Sequence, residues 1–435
     1  MDKSIARNSL FNLFYRGFNL VYPVVTSAYI SRIFLADGVG EIVFAINIVT
    51  YFTLAASLGM PNYAVRVLAP LRNDRKALNN RFTELSLILL ISSLIATLLY
   101  YIMVVFVFEG KPTSMQMAFA LGLMVVTNIF NYDWLFESME DFRYLAIRSI
   151  VIKSLALLLM FLLVKDKSDI LVYCLIYAGI TVANNIWNSI STHYYAKWVF
   201  RHLNIRQHFV PVMTLFAAAF ATEVYTLLDS TMLGVMCPSE YLGYYSNASR
   251  VVRASFGLVF AAIAVFNPRL NYVYNNRNRE EYREMFQRFY NIGMFIAVPT
   301  AALLFILAPQ VMLLLFGEAF APGIFTLRLL AGLLVIFTMA AVFGHVGLII
   351  YGRERYLLYA AILGAIVNFS LNQLLIPCYQ HNGAAAASLA SELLVTLFLL
   401  VASMRCCKIS LVNARLLVLG VVAITACIGY KLYVG

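Results

Sequence analysis

Apolar runs of about twenty residues recur along the chain, each cut off by a charged or Gly/Pro-rich connection. A helix needs about 20 apolar residues to cross the hydrocarbon core of a bilayer. The pattern therefore predicts membrane-spanning helices near 10–31, 42–63, 84–107, 115–136, 146–164 and 170–195. After a basic connection it predicts further spans near 211–235, 244–267, 289–315, 325–350, 356–377, 383–403 and 412–431. Thirteen spans are counted; Lys431 opposes the side that an odd count gives the last one, so the total stands at 12–14. The fold class expected is all-α integral membrane.

Composition agrees with the pattern. Hydrophobic residues make up 62% of the 435 and charged residues 12%, against about 45–50% and about 25% in ordinary globular chains. A water-soluble core cannot hide that much apolar surface. The net charge of +11 would suit a polyanion partner, but its placement gives another reason for it. Of the 32 Lys and Arg, 22 lie in alternate connections on one side, five lie on the other (Arg32, Lys111, Lys165, Lys167, Lys431), and five fall inside apolar runs. That asymmetry is the positive-inside signal. It predicts a multi-pass membrane protein with a cytoplasmic N-terminus and no nucleic-acid partner. Lys3 and Arg7 precede a first run with no small-residue cleavage site, so a retained helix is expected there.

The chemistry of an enzyme is missing from the sequence. There is no nucleotide-binding GxxxxGK[ST] loop, no HExxH and no Cys/His cluster with metal-ligand spacing. The six cysteines outline no disulfide framework; adjacent Cys406 and Cys407 are open to lipidation or to plain packing. No cofactor and no metal are expected. The outer connections are all short, which disfavours a membrane glycan polymerase or ligase. Work would come from an H+ or Na+ gradient, the membrane potential, or the substrate's own gradient.

The residues point to an internal duplication and to polar stripes. Gly40–Ala45 opens the second span and Gly243–Ala248 the eighth, about six spans later. Halves so related share one orientation in the membrane, a plan that places a substrate site between parallel repeats. The division expected is 1–208 (helices 1–6), 209–404 (helices 7–12) and 405–435 as an additional C-terminal helix. On the first span Asn8, Asn12, Arg16, Asn19 and Pro23 recur every three or four residues, on one helix face. Such a face lines a cavity or glues helices together; Arg16 needs water or an anion.

The stretch Asp229–Arg253 puts an Asp inside one apolar segment and two arginines inside the next. Thr222, Thr226 and Asp229 share a face of the seventh span, with Tyr225 beside them and Glu223 slightly off it. Arg250 and Arg253, three apart on the eighth span, can grip one anionic group together. Asp229 is open to two readings, an ion- or proton-sensitive switch or a counter-charge for the arginines. Glu223 and His345 are further coupling candidates, although a lone intramembrane histidine also fits plain packing. Trp134, among Asp133, Glu137, Glu140 and Asp141, reads as an interfacial tryptophan. Lys153 is expected to snorkel to the cytoplasmic surface.

Five stretches carry a resemblance, in order: NSLFNLFYRGFNLVYPVVTSAYISRIF (8–34), VTYFTLAASLGMPNYAVRVLAPLRND (49–74), DWLFESMEDFRYLAIRSIVIKSL (133–155), LLDSTMLGVMCPSEYLGYYSNASRVVR (227–253) and LLIPCYQHNGAAAASLASE (374–392). Together they resemble the O-antigen and capsular polysaccharide flippases (Wzx type) of the multidrug/oligosaccharidyl-lipid/polysaccharide (MOP) exporter superfamily. The resemblance implies two six-helix lobes in a V around a cationic cavity. It also implies a polyprenyl-pyrophosphate-linked oligosaccharide as substrate, moved from the cytoplasmic to the periplasmic leaflet, with membrane lipids, a polysaccharide polymerase and chain-length machinery as partners. On that plan Arg16, Arg250 and Arg253 would hold the pyrophosphate and Arg66 would stand at the cytoplasmic mouth. Asn12, Asn19 and Tyr225 would meet sugar hydroxyls. A drug/cation antiporter of the same superfamily is the alternative within transport.

Overall fold

A computed structural model describes residues 3–201, 203–264, 267–275 and 279–407; side chains are described from Gly17 onward, apart from Leu20, His345 and the residues bordering 265–266, 276–278 and 408–435. The described residues are helical nearly throughout and contain no strand. Nine helices among them are long and apolar enough to cross a membrane. Two of these runs contain a backbone break, at Leu35 (φ 57) within Lys3–Ser57 and at Gln380 (φ 47) within Arg355–Cys407. Splitting each there, and adding the more polar helix Ser239–Ala264, accounts for the twelve spans expected up to residue 404. The thirteenth expected span, over 412–431, lies outside the described residues.

The chain divides into two compact units, residues 1–26 with 41–227, and residues 27–40 with 228–435. In the first unit, α1 (Lys3–Ser57) is followed by a turn at Gly59, whose φ of 67 suits glycine. Pro61 then sits in the first turn of α2 (Met60–Leu68), where its missing N–H costs nothing. Asp74 caps α3 (Arg75–Val107) by accepting from the N–H groups of Lys76 and Ala77. Next come α4 (Pro112–Thr127), the short α5 (Asp133–Ser138), α6 (Phe142–Leu163) and α7 (Ile170–Ser191). The long α8 (Arg206–Met236) carries the chain from the first unit into the second.

The fourth predicted span is shorter than its apolar pattern suggested. Asn128 ends it: its side chain accepts from Ser57 Oγ (3.1 Å) and donates to Ser93 Oγ (3.1 Å). The chain then turns and α5 tucks inward. Trp134 is consequently 1% exposed and packs against Phe82 and Tyr132. It is a core residue and not the interfacial tryptophan that its position suggested. Its aromatic surface is buried with Tyr63, Leu68, Leu78 and Phe136 in a hydrophobic core cluster.

The second unit starts with the stretch 27–40 of α1, which packs with α9 (Ser239–Ala264). After it come α10 (Asn267–Asn275), α11 (Arg279–Ile306), α12 (Ala308–Phe316), α13 (Ile324–Ala331) and α14 (Leu333–Ala340), which runs on into a π-helical segment, Ala341–Leu348. The last described helix is α15 (Arg355–Cys407).

Candidate functional site

Ser27 and Ser31 prolong the four-residue polar stripe of the first span by two more steps beyond Pro23. They face α9. Asn247 Oδ1 accepts from Ser27 Oγ at 2.8 Å, and Asn247 Nδ2 donates to Ser31 Oγ at 2.7 Å. All three side chains are buried. One turn further along α9, Arg250 donates through Nη1 to Ser27 Oγ and to Asn247 Oδ1 (3.3 Å). A serine and an asparagine thus orient one edge of the Arg250 guanidinium with neutral acceptors. A guanidinium is a planar fork of five N–H donors, the geometry that phosphate and carboxylate oxygens accept. Arg253, three residues on, is exposed, and its Nε donates to Ser249 Oγ at 3.3 Å.

Asp229, on α8, is the centre of a second hydrogen-bond network. It is 9% exposed, and four neutral donors converge on its carboxylate. Oδ1 accepts from Asn368 Nδ2 (2.9 Å) and Asn372 Nδ2 (2.7 Å); Oδ2 accepts from Tyr245 OH (2.9 Å) and Ser388 Oγ (2.6 Å). A carboxylate offers about four lone-pair positions, and these bonds fill them. The charge is thus spread over amides and hydroxyls from α9 and α15. Asn368 and Asn372, four apart on α15, also bond each other (3.0 Å).

Of the sequence candidates, the structure joins Arg250 to Asn247, Ser27 and Ser31, and Asp229 to Tyr245, Asn368, Asn372 and Ser388. Tyr225 and Glu223 are half-buried on α8, and Arg66 is exposed in the last turn of α2. Asn19 is half-buried and its Oδ1 accepts from Lys153 Nζ. Lys153 also lies over the Tyr22 ring, so it points at α1 where snorkelling to the surface was expected. The side chains of Arg16, Asn12 and His345 lie outside the described residues. Ser27, Ser31 and Asn247 were missed, although continued four-residue spacing and the i,i+3 step to Arg250 were visible signals.

Two ionic networks in the first unit rest mostly on partners far apart in the chain, Arg81 and Glu84 being the one local pair. Glu84, 2% exposed, pairs with Arg81 Nη1 (2.7 Å) and His208 Nε2 (2.9 Å), and accepts from the Asn204 N–H (2.6 Å). His208 Nδ1 in turn meets Tyr63 OH at 2.7 Å. Arg148 is buried; it donates to Asp133 Oδ1 (2.8 Å) and to Asn188 Oδ1, and Asn188 Nδ2 donates to the same Asp133 oxygen (2.6 Å). Beside that pair, burial first and the Asp133 charge second push the Glu137 carboxyl above its usual range. The exposed Glu140 is held below that range by its hydrogen bond to Arg72, then by the guanidinium charge.

Known proteins resemble this chain along nearly its whole length. A family model described as polysaccharide biosynthesis protein matches residues 5–272. A Shigella dysenteriae protein named for O-antigen transport is 22% identical over 403 residues, which is 91% of this chain and 98% of that protein. A protein of Escherichia coli (strain K12) with the same name is 21% identical over 405 residues, 91% of this chain and 96% of that protein. Among solved structures, an inward-facing multidrug resistance MATE family transporter of the MOP superfamily matches with a TM-score of 0.67 at 14% identity, over 89% of this chain and 94% of that one. The lipid II flippase MurJ, in an inward closed conformation, gives 0.66 at 15% identity over 98% of this chain and 99% of that one. At such identities these two likenesses give the fold, which is the all-α MOP type.

Proposed function

The chain belongs to the polysaccharide biosynthesis protein family, and on that premise we propose that it is a flippase for polyprenyl-pyrophosphate-linked oligosaccharide repeat units. It carries them by alternating access from the cytoplasmic to the periplasmic leaflet of a bacterial inner membrane, with its N-terminus cytoplasmic. The names of the two O-antigen transport relatives support a transporter and not an enzyme. The observation that carries the reading is the pair Arg250 and Arg253 on α9. One is braced by Ser27 and Asn247 and the other is exposed. Two guanidinium groups one helical turn apart suit the dianionic pyrophosphate, because arginine presents a planar fork that a carboxylate or phosphate can accept bidentately. Tyr225 and Asn19 are assigned to sugar hydroxyls, Arg66 to the cytoplasmic mouth, and Asp229 to the response to an H+ or Na+ gradient.

The test is restoration of surface polysaccharide in a strain lacking its own copy of this gene. Arg250→Ala and Arg253→Ala should each reduce export at least about tenfold, the order expected from losing one charge-assisted contact. Arg253→Lys should recover only part of it, because an ammonium cannot replace the fork. Full export by both alanine variants at normal protein levels would remove the pair from the substrate site. A drug/cation antiporter would instead transport cationic dyes, and arginines at the site oppose such a cargo.

A further inference from the structure

The connection between α7 and α8 runs extended along the first turns of α3, and α3 side chains satisfy its backbone. Asn79 Oδ1 accepts from the Lys197 N–H (2.9 Å) and Thr83 Oγ1 from the Val199 N–H (2.9 Å). Arg75 Nη1 donates to the carbonyls of Tyr194 (3.3 Å) and Tyr195 (2.9 Å). Between helix and connection lies a cavity of about 530 Å³ lined by Arg75, Lys76, Asn79, Asn80, Val199 and Arg201. Three cations and two carboxamides face it, and these lining residues carry no carboxylate. Asn79 gives its oxygen to Lys197, which leaves its NH2 end to serve the cavity. The N-terminal amides of α3 are already taken by Asp74, so the positive potential comes from the side chains.

The position of the cavity relative to lipid follows from the same elements. α3 has 33 residues, about 50 Å of helix at about 1.5 Å per residue, against a hydrocarbon core of about 30 Å. All its charged residues fall in its first turns, from Arg75 to Glu84, while Ile91, Leu94, Ile95, Leu98 and Leu99 form an exposed apolar stripe further on. The excess length therefore emerges at headgroup level on the basic side. The connection alternates there as an extended chain does. Val199 and Arg201 line the cavity, while Trp198 (43% exposed) and Phe200 (72% exposed) stack on each other at 5.8 Å. An exposed aromatic pair beside a basic cavity is the arrangement that settles at a membrane–water interface.

We propose that this cavity binds the phosphate of an anionic lipid headgroup in the leaflet on the basic side of the membrane. Arg75, Lys76 and Arg201 neutralise the phosphate, Asn79 and Asn80 bond its oxygens or the glycerol, and Trp198 with Phe200 seats the acyl end. This is a resident-lipid site, separate from the arginines assigned above to the transported pyrophosphate.

The test is lipid binding by the full-length chain, read by native mass spectrometry from detergent. Phosphatidylglycerol, phosphatidylcholine and inorganic pyrophosphate are each titrated against the unaltered chain and against Lys76→Gln/Arg201→Gln. Phosphatidylglycerol should bind the unaltered chain more tightly than phosphatidylcholine. The double variant should lose about tenfold or more of that affinity, since a surface cation contributes about one factor of five against anionic lipid. Its melting temperature should stay unchanged, and Lys76→Arg/Arg201→Lys should keep the affinity. Equal phosphatidylglycerol affinity in the double variant would overturn the proposal. So would a loss confined to pyrophosphate, which would mark a site for soluble phosphates. Should the double variant fail to fold, the single Lys76→Gln carries the same comparison. The readout is binding, so its outcome is independent of export.

Discussion

Gly40 and Gly243 form the two sides of one reciprocal contact. A Cβ on Gly40 would stand 1.7 Å from the backbone oxygen of Ser239, and a Cβ on Gly243 would stand 2.1 Å from that of Ala36. Gly243 follows Gly40 by 203 positions, and Ser239 follows Ala36 by the same 203. Each glycine thus meets the repeat-equivalent of the other's partner, as expected at a self-complementary interface between like elements. Two backbones touch here, and only glycine fits on either side.

Gly243→Ala and Gly40→Ala should each lower stability by about 3 kcal/mol or more, the upper end of overpacking costs, because backbone atoms cannot rotate away. Gly179→Ala on α7, where nothing lies within 4 Å, should be neutral or gain up to about 1 kcal/mol from helix propensity. Thermal melting of detergent-solubilised protein, followed by size-exclusion chromatography, would separate the two outcomes. Equal melting of all three variants would mean that the close approach does not exist.

Asp229→Asn should destabilise by about 2–4 kcal/mol. The substitution puts an NH2 group where one pair of donors now converges, so buried donors lose their acceptor. Asp229→Asn combined with Asn368→Asp, which returns a carboxylate to the network, should recover part of the loss. A coupling role for Asp229 further requires that transport by Asp229→Asn lose its dependence on imposed ion gradients; dependence that persists unchanged would exclude that role.

Breaking the buried Glu84–His208 pair should cost about 3–5 kcal/mol for Glu84→Gln or Glu84→Ala, because an uncompensated buried partner remains. A double-mutant cycle with His208→Phe should show strong coupling, since both residues share one network with Tyr63 and Arg81. Additive losses in melting experiments would contradict the shared network.

Glu137 gives a pH-dependent prediction. Its carboxyl is raised in the folded state by burial and by Asp133, so its favourable contribution is present below the unfolded value, about 4.3, and fades as pH rises through the folded value. Glu137→Gln is neutral at every pH and should therefore melt higher than the unaltered protein at pH 8. The advantage should close by pH 4. A gap independent of pH would argue that packing, and not ionisation, sets the difference.

The spans were legible in the sequence because bilayer thickness imposes a length on each apolar run and charged connections mark its ends. Short local patterns were legible too: Arg250 and Arg253, expected on one span, do lie on one helix, α9. What escaped depends on partners far apart in the chain. Asp229 finds its donors at Asn368, Asn372 and Ser388, and Glu84 finds His208, and no local period reports such pairings. Trp134 was misread because amphipathic tryptophans at span ends are ordinarily interfacial; only the inward tuck of α5 after Asn128 reverses that. The break at Leu35 was hidden because positive φ is normally announced by glycine, and here a leucine adopts it beside Gly38 and Gly40.

The single-residue breaks at Leu35 and Gln380 bear on how the protein is made. In both places two spans are joined with almost no slack, so during synthesis neither partner can wait in water while the other settles in lipid. The two helices of each pair should therefore insert together. Reporter tags or extra residues placed at those corners would block biogenesis before any transport step. The same insert between Glu109 and Lys111, where Gly110 turns an exposed connection, would be accommodated.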